Sequence, residues 1–163
     1  MKKILSAIIG IISFPIALIW NERSAAWVKA IGVMLHSRIM QARFKGATNL
    51  HVWGRPVMIT GAKYITVGDN VEICRMARID AISYYPNTGQ RFEPVLNIAN
   101  NVVIQVSCHI GCINRVEIGE YTTMGARTYI TDHTHGTVEP DDLKLPPRYR
   151  KLYSKGPVKI GKY

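Results

Sequence analysis

From Val67 onward, apolar residues recur every six positions. Val67, Ile73 and Ile79 open the series, Ile98, Ile104 and Ile110 resume it, Ile118, Met124 and Ile130 follow, and Ile160 begins again. A step of six fits neither the ~3.6-residue turn of a helix nor the alternation of a strand. It fits a coil of short flat sides, each burying its apolar residue by stacking on the next. The interruptions follow Ile79, Ile110 and Ile130, every third step. With three steps to a coil, every insertion leaves at the same corner. Val57-x-Ile59 and Ile65-x-Val67 read as short strands leading in.

The chain before Gly46 is patterned differently. Lys2-Lys3 precede an uncharged run at positions 4–20, interrupted by Pro15. As a helix, such a run spans about 25 Å, short of a ~30 Å hydrocarbon core. A secretory signal, a membrane anchor or re-entrant segment, and a helix covering the first coil are the competing readings. From Ser24 to Phe44 the pattern is helical, with Trp27, Ile31, Met34, Leu35, Ile39 and Ala42 on one face and Lys29, Arg38 and Arg43 elsewhere. A basic amphipathic helix suits a membrane interface or packing on its own protein. The expected organisation is therefore an N-terminal helical segment, 1–45, and a β domain, 46–163.

Charge sharpens this division. The 163-residue chain carries a net +10, and residues 1–55 hold eight Lys/Arg against one acid, Glu22. No RNP-like, zinc-finger or helix-turn-helix pattern accompanies the excess, so an anionic membrane surface is the expected partner rather than nucleic acid. Three cysteines, Cys74, Cys108 and Cys112, form no disulfide framework and suit a reducing compartment. Cys108 stands at the small-residue position of its step, which favours packing over a metal site.

The stretch IGEYTTMGARTYITDHTH, residues 118–135, carries the chemistry. Together with HIGCINRVEIG, ITDHTHG and PPRYRKLYSKGPVKIG, it resembles the hexapeptide-repeat acyltransferases, most closely the lipopolysaccharide and capsule O-acetyltransferases. That resemblance covers about Leu50 to Tyr163. It implies a mainly β fold, a left-handed parallel β-helix with three sides, with N-terminal helices added. It also implies a homotrimer with sites between subunits, acetyl-CoA as donor, a glycan or a nucleotide- or lipid-linked sugar as acceptor, and no required metal; with the free cysteines, a cytosolic donor makes the expected location cytoplasmic, peripheral to the inner membrane through the N-terminal segment. Similar proteins continue for further coils, so the chain, which stops at Tyr163 as a step opens at Ile160, is expected to carry the histidine corner and part of the donor site.

Acetyl transfer to a hydroxyl needs a base near neutrality, and histidine suits that task. The resemblance favours His135, from Asp132-x-x-His135-Gly136, with His133 as second choice. Asp132 or Asp80 would orient the imidazole, and Asn114, on the corner shared with Asp80, would hold the acceptor or the thioester oxygen. The insertion after Ile79 contributes Tyr84 and Tyr85 to acceptor binding. Arg148, Arg150 and Lys155 in the next long insertion would meet a phosphate of coenzyme A. Two other classes remain open: a non-catalytic coil that binds partners or membrane, and a metal enzyme similar to the γ-class carbonic anhydrases, for which His109, His133 and His135 would have to converge.

Overall fold

The structure, a computed structural model, describes residue 9 and residues 22–163. The readings of Lys2-Lys3 and, Ile9 apart, of run 4–20 lie outside the described residues. The rest is mainly β, with one long helix, α1 (Glu22–Gln41), and a short one, α2 (Pro140–Leu143).

Three four-stranded parallel sheets make up the β domain. One holds β1 (His51–Trp53), β4 (Glu72–Cys74), β9 (Val103–Ile104) and β12 (Thr123–Met124). The second holds β2 (Met58–Thr60), β5 (Arg78–Ala81), β10 (His109–Cys112) and β13 (Tyr129–Thr131). The third holds β3 (Ile65–Val67), β8 (Val95–Ile98), β11 (Arg115–Ile118) and β16 (Val158–Ile160). The chain visits the three sheets in rotation, so a strand pairs with one a whole circuit away.

The six-residue step sets this register. Ile73 pairs with Ile104 and Ile104 with Met124. Ile79 pairs with Ile110 and Ile110 with Ile130. Val67, Ile98, Ile118 and Ile160 form the third column. The columns converge on one interior, where Ile65, Ile73, Ile79, Leu96, Ile104 and Ile110 are fully buried. Each such side chain contributes up to about 1.5–3 kcal/mol by leaving water.

Between strands, the chain must turn within a few residues. The left-handed residues at these turns repeat with the circuit: Asn70, Asn101 and Tyr121 at φ of 53°, 59° and 60°, then Met76, Ser107 and Arg127 at 62°, 61° and 64°. Left-handed backbone costs a non-glycine residue roughly 1–2 kcal/mol. Side-chain ladders offset part of that cost, as where Asn49 Nδ2 donates to Asn70 Oδ1 at 2.6 Å and Asn70 Nδ2 to Asn101 Oδ1 at 3.2 Å.

Helix α1 packs on β1 through its less apolar side. Ser37 Oγ accepts the Val52 N–H at 2.9 Å and donates to the Val33 carbonyl at 2.8 Å, while Met40, and Phe44 just beyond the helix, enter the core. The apolar face read from the sequence points the other way: Trp27, Ile31, Met34, Leu35 and Ile39 are exposed. Among the described residues no helix is long and apolar enough to cross a membrane.

Both long insertions leave from the second sheet, after β5 and after β13. The first contains the hairpin β6 (Tyr84–Tyr85) and β7 (Gln90–Arg91), and the second carries β14 (Thr134–His135) and β15 (Leu152–Tyr153), which pair antiparallel. They are joined to each other, since Gln90 Nε2 donates to the Leu152 carbonyl at 3.0 Å and the Leu152 N–H to Gln90 Oε1 at 2.7 Å. The corner between them holds the histidines.

Candidate active site

Asp132 follows the last residue of β13, and its side chain turns inward. Its carboxylate accepts the backbone N–H of Ile113 at 3.0 Å and of Asn114 at 2.7 Å, both from the turn after β10. The same carboxylate meets His133 Nδ1 at 2.9 Å, with side-chain exposures of 0% for Asp132 and 8% for His133. Burial raises the Asp132 pKa, but the hydrogen bond from His133 and those from the two backbone groups outweigh it and hold the carboxyl below its ordinary range. Cys112 lies against the same carboxylate, with Sγ 3.5 Å from Oδ2. Burial first, and then the Asp132 charge, push that thiol up to about 12, so it stays protonated and donates.

The carboxylate fixes the state of His133. A proton on Nδ1 satisfies Asp132 and leaves Nε2 as the basic nitrogen. Thr131 Oγ1 braces the ring at 3.0 Å from Nδ1 and also accepts the His133 N–H at 3.3 Å. Gly111 makes room for it: a Cβ there would meet His133 Cε1 at 3.2 Å and Thr131 Oγ1 at 3.3 Å. The imidazole opens into a cleft of about 270 Å³, lined by Asp132, His133, Thr134, Tyr153, Lys155 and Pro157 among others.

His135, two residues on, belongs to a different set of contacts. It is exposed, its Nδ1 lies 3.2 Å from the Pro147 carbonyl and 3.4 Å from Tyr85 Oη, and its ring meets Tyr85 edge to face. Tyr85 in turn donates to the Arg148 carbonyl at 2.6 Å. The tyrosine of the first insertion thus ties the second insertion down beside His135.

The remaining sequence-predicted residues are dispersed. Lys155 lines the cleft with His133. Asn114 gives its backbone N–H to Asp132, and its side-chain Nδ2 lies 3.5 Å from Ser154 Oγ. Asp80 is buried and engaged elsewhere, by Arg78 and by His109 Nε2 at 3.2 Å. Tyr84 faces outward, under the guanidinium of Arg91 at 5.1 Å. Arg148 sits over the Tyr149 ring at 5.2 Å, and Arg150 Nε donates to the Leu145 carbonyl at 2.7 Å. His109, His133 and His135 have separate partners, and among the described residues no group of three or more His, Cys, Asp or Glu is placed to hold a metal ion.

Thr131, Gly111, Cys112 and Tyr153 belong to the site without having been singled out from sequence. The first three occupy positions that the repeat explains by packing alone, and Tyr153 lies in an insertion that the repeat does not reach. Comparison with protein-family models, curated proteins and solved structures returns no match.

Proposed function

We propose that the chain is a left-handed three-sided β-helix of the hexapeptide-repeat acyltransferase kind. It transfers acetyl from acetyl-CoA to a sugar hydroxyl of a lipopolysaccharide or capsule precursor. The observation that carries this reading is the Asp132–His133 pair, a carboxylate-held imidazole facing a cleft at the corner from which the insertions leave. The rotation through three parallel sheets and the six-residue register support the fold part of it.

The same pair makes His133, rather than His135, the general base in this proposal. The resemblance favours His135, but a base gains from a buried partner that fixes its tautomer and ring orientation, and His133 has one. His133 Nε2 takes the proton of the acceptor hydroxyl as its oxygen attacks the thioester carbonyl. The tetrahedral intermediate then collapses, the C–S bond breaks, and the imidazolium returns its proton to the leaving thiolate. Asp132 keeps its charge throughout and steadies the imidazolium. Lys155, in the same cleft, supplies a cation for the donor's phosphates, and His135 with Tyr85 shapes the acceptor side. Subunits associate as trimers, which complete the site between neighbours.

Release of coenzyme A thiol in the presence of a panel of saccharide acceptors tests the assignment. His133→Ala lowers kcat by about 10²–10⁴-fold. His135→Ala raises KM for the acceptor and changes kcat by less than about tenfold. The opposite pattern would move the base to His135, and an unchanged rate in both variants would end the acyltransfer reading.

A further inference from the structure

The reaction proposed above leaves helix α1 without a role. Its packed side is Ser37 and Met40, and Phe44 follows it into the same core. At about 100° per residue, Met34, Trp27, Arg38, Ile31, Leu35, Val28 and Ile39 fall within one arc of about 140° on the opposite side. Six of these seven are apolar and all are exposed, Trp27 by 72%. A soluble surface seldom carries so continuous an apolar strip without a partner.

Beside the strip runs a groove of about 780 Å³ whose lining is mainly apolar and includes Ile31, Met34, Leu35, Leu50 and Trp53. Lys29 and Arg38 line it as well. The charge of this stretch is one-sided: residues 25–55 hold five Lys/Arg, Lys29, Arg38, Arg43, Lys45 and Arg55, and no Asp or Glu. A partner for this face must therefore bury apolar side chains and carry negative charge. A second copy of the chain meets the first requirement and fails the second, since pairing this face with itself sets like charge on like.

We infer that the outward face of α1, from Trp27 to Ile39 with the adjoining groove, docks in the plane of an anionic lipid bilayer. Helix α1, about 30 Å long, lies along the surface rather than through it. Trp27 sits at the level of the headgroups, Ile31, Leu35 and Ile39 enter the acyl boundary, and Arg38 pairs with lipid phosphate. This does not depend on the acyltransfer reading.

Vesicle flotation of the full chain tests it. The expected result is flotation with phosphatidylcholine vesicles that contain phosphatidylglycerol, and about tenfold weaker association with phosphatidylcholine alone. Ile31→Asp combined with Leu35→Asp keeps residues 1–21 intact and changes only exposed positions, so a far-UV spectrum like that of the wild type is expected with a loss of flotation of about tenfold or more. Arg38→Glu keeps the apolar strip and loses the preference for anionic vesicles. Flotation by the Asp double variant equal to the wild type would overturn the proposal, because another segment would then be holding the membrane. Absence of wild-type flotation, with a change in oligomeric state on going to the double variant, would overturn it in favour of an interface between copies.

Discussion

At the scale of single residues, Asp132 links stability to chemistry. It satisfies two backbone donors, one buried and one partly buried, and one imidazole at once. Its pKa in the folded protein is lower than in the unfolded chain. The stabilisation it gives is therefore fully present above the unfolded-state value and lost as pH falls through the folded one. Acid titration followed by thermal melting should show wild-type stability falling below the ordinary carboxylate range, with a shallower fall in Asp132→Asn. Asp132→Ala leaves the Ile113 and Asn114 N–H groups without their acceptor and costs about 2–4 kcal/mol in chemical denaturation. Gly111→Val should spare the fold more than the rate, since its side chain presses on the His133 ring rather than on the core. A kcat loss of about tenfold or more with a melting temperature near the wild type is the expected outcome.

At the scale of elements, stability lies in the stacked columns. Ile110 is fully buried between Ile79 and Ile130, and Ile110→Ala should cost about 2–4 kcal/mol in denaturant unfolding, more than the same change at half-buried Ile160. These columns were readable in advance because every apolar residue of the six-residue step pairs with its counterpart one circuit away. Strand β1 was not, because His51-Val52-Trp53 precedes the regular steps and is held by Ser37 of α1 as well as by β4. The candidate site was half legible. The adjacency of Asp132 and the two histidines is local, but which imidazole receives the carboxylate depends on backbone donors from the previous circuit, eighteen and nineteen residues away in sequence. Tyr85 and Gln90 meet the second insertion across 63 and 62 residues, and no periodicity connects two insertions. The repeat sets Asp80 on the same corner as Asn114, yet its carboxylate goes to Arg78 and His109 instead.

At the scale of the whole molecule, the proposed function and the proposed membrane contact occupy different parts. The histidine corner lies at the insertions of the second sheet, while the basic apolar helix packs on the first strand. Bilayer docking through α1 would thus leave the cleft free to take donor and acceptor. The trimer in the proposed function predicts a sedimenting species of three chain masses in detergent, and a stable monomer would remove the subunit-shared site. The central claim, that the His133 cleft serves acyl transfer from a thioester, is met most directly by calorimetric titration of the full chain with acetyl-CoA in mild detergent. The account predicts saturable binding in about the micromolar range, weakened by Lys155→Glu and retained by His133→Ala, whose role lies in the chemical step. No heat of binding from a protein with an intact β spectrum would contradict it.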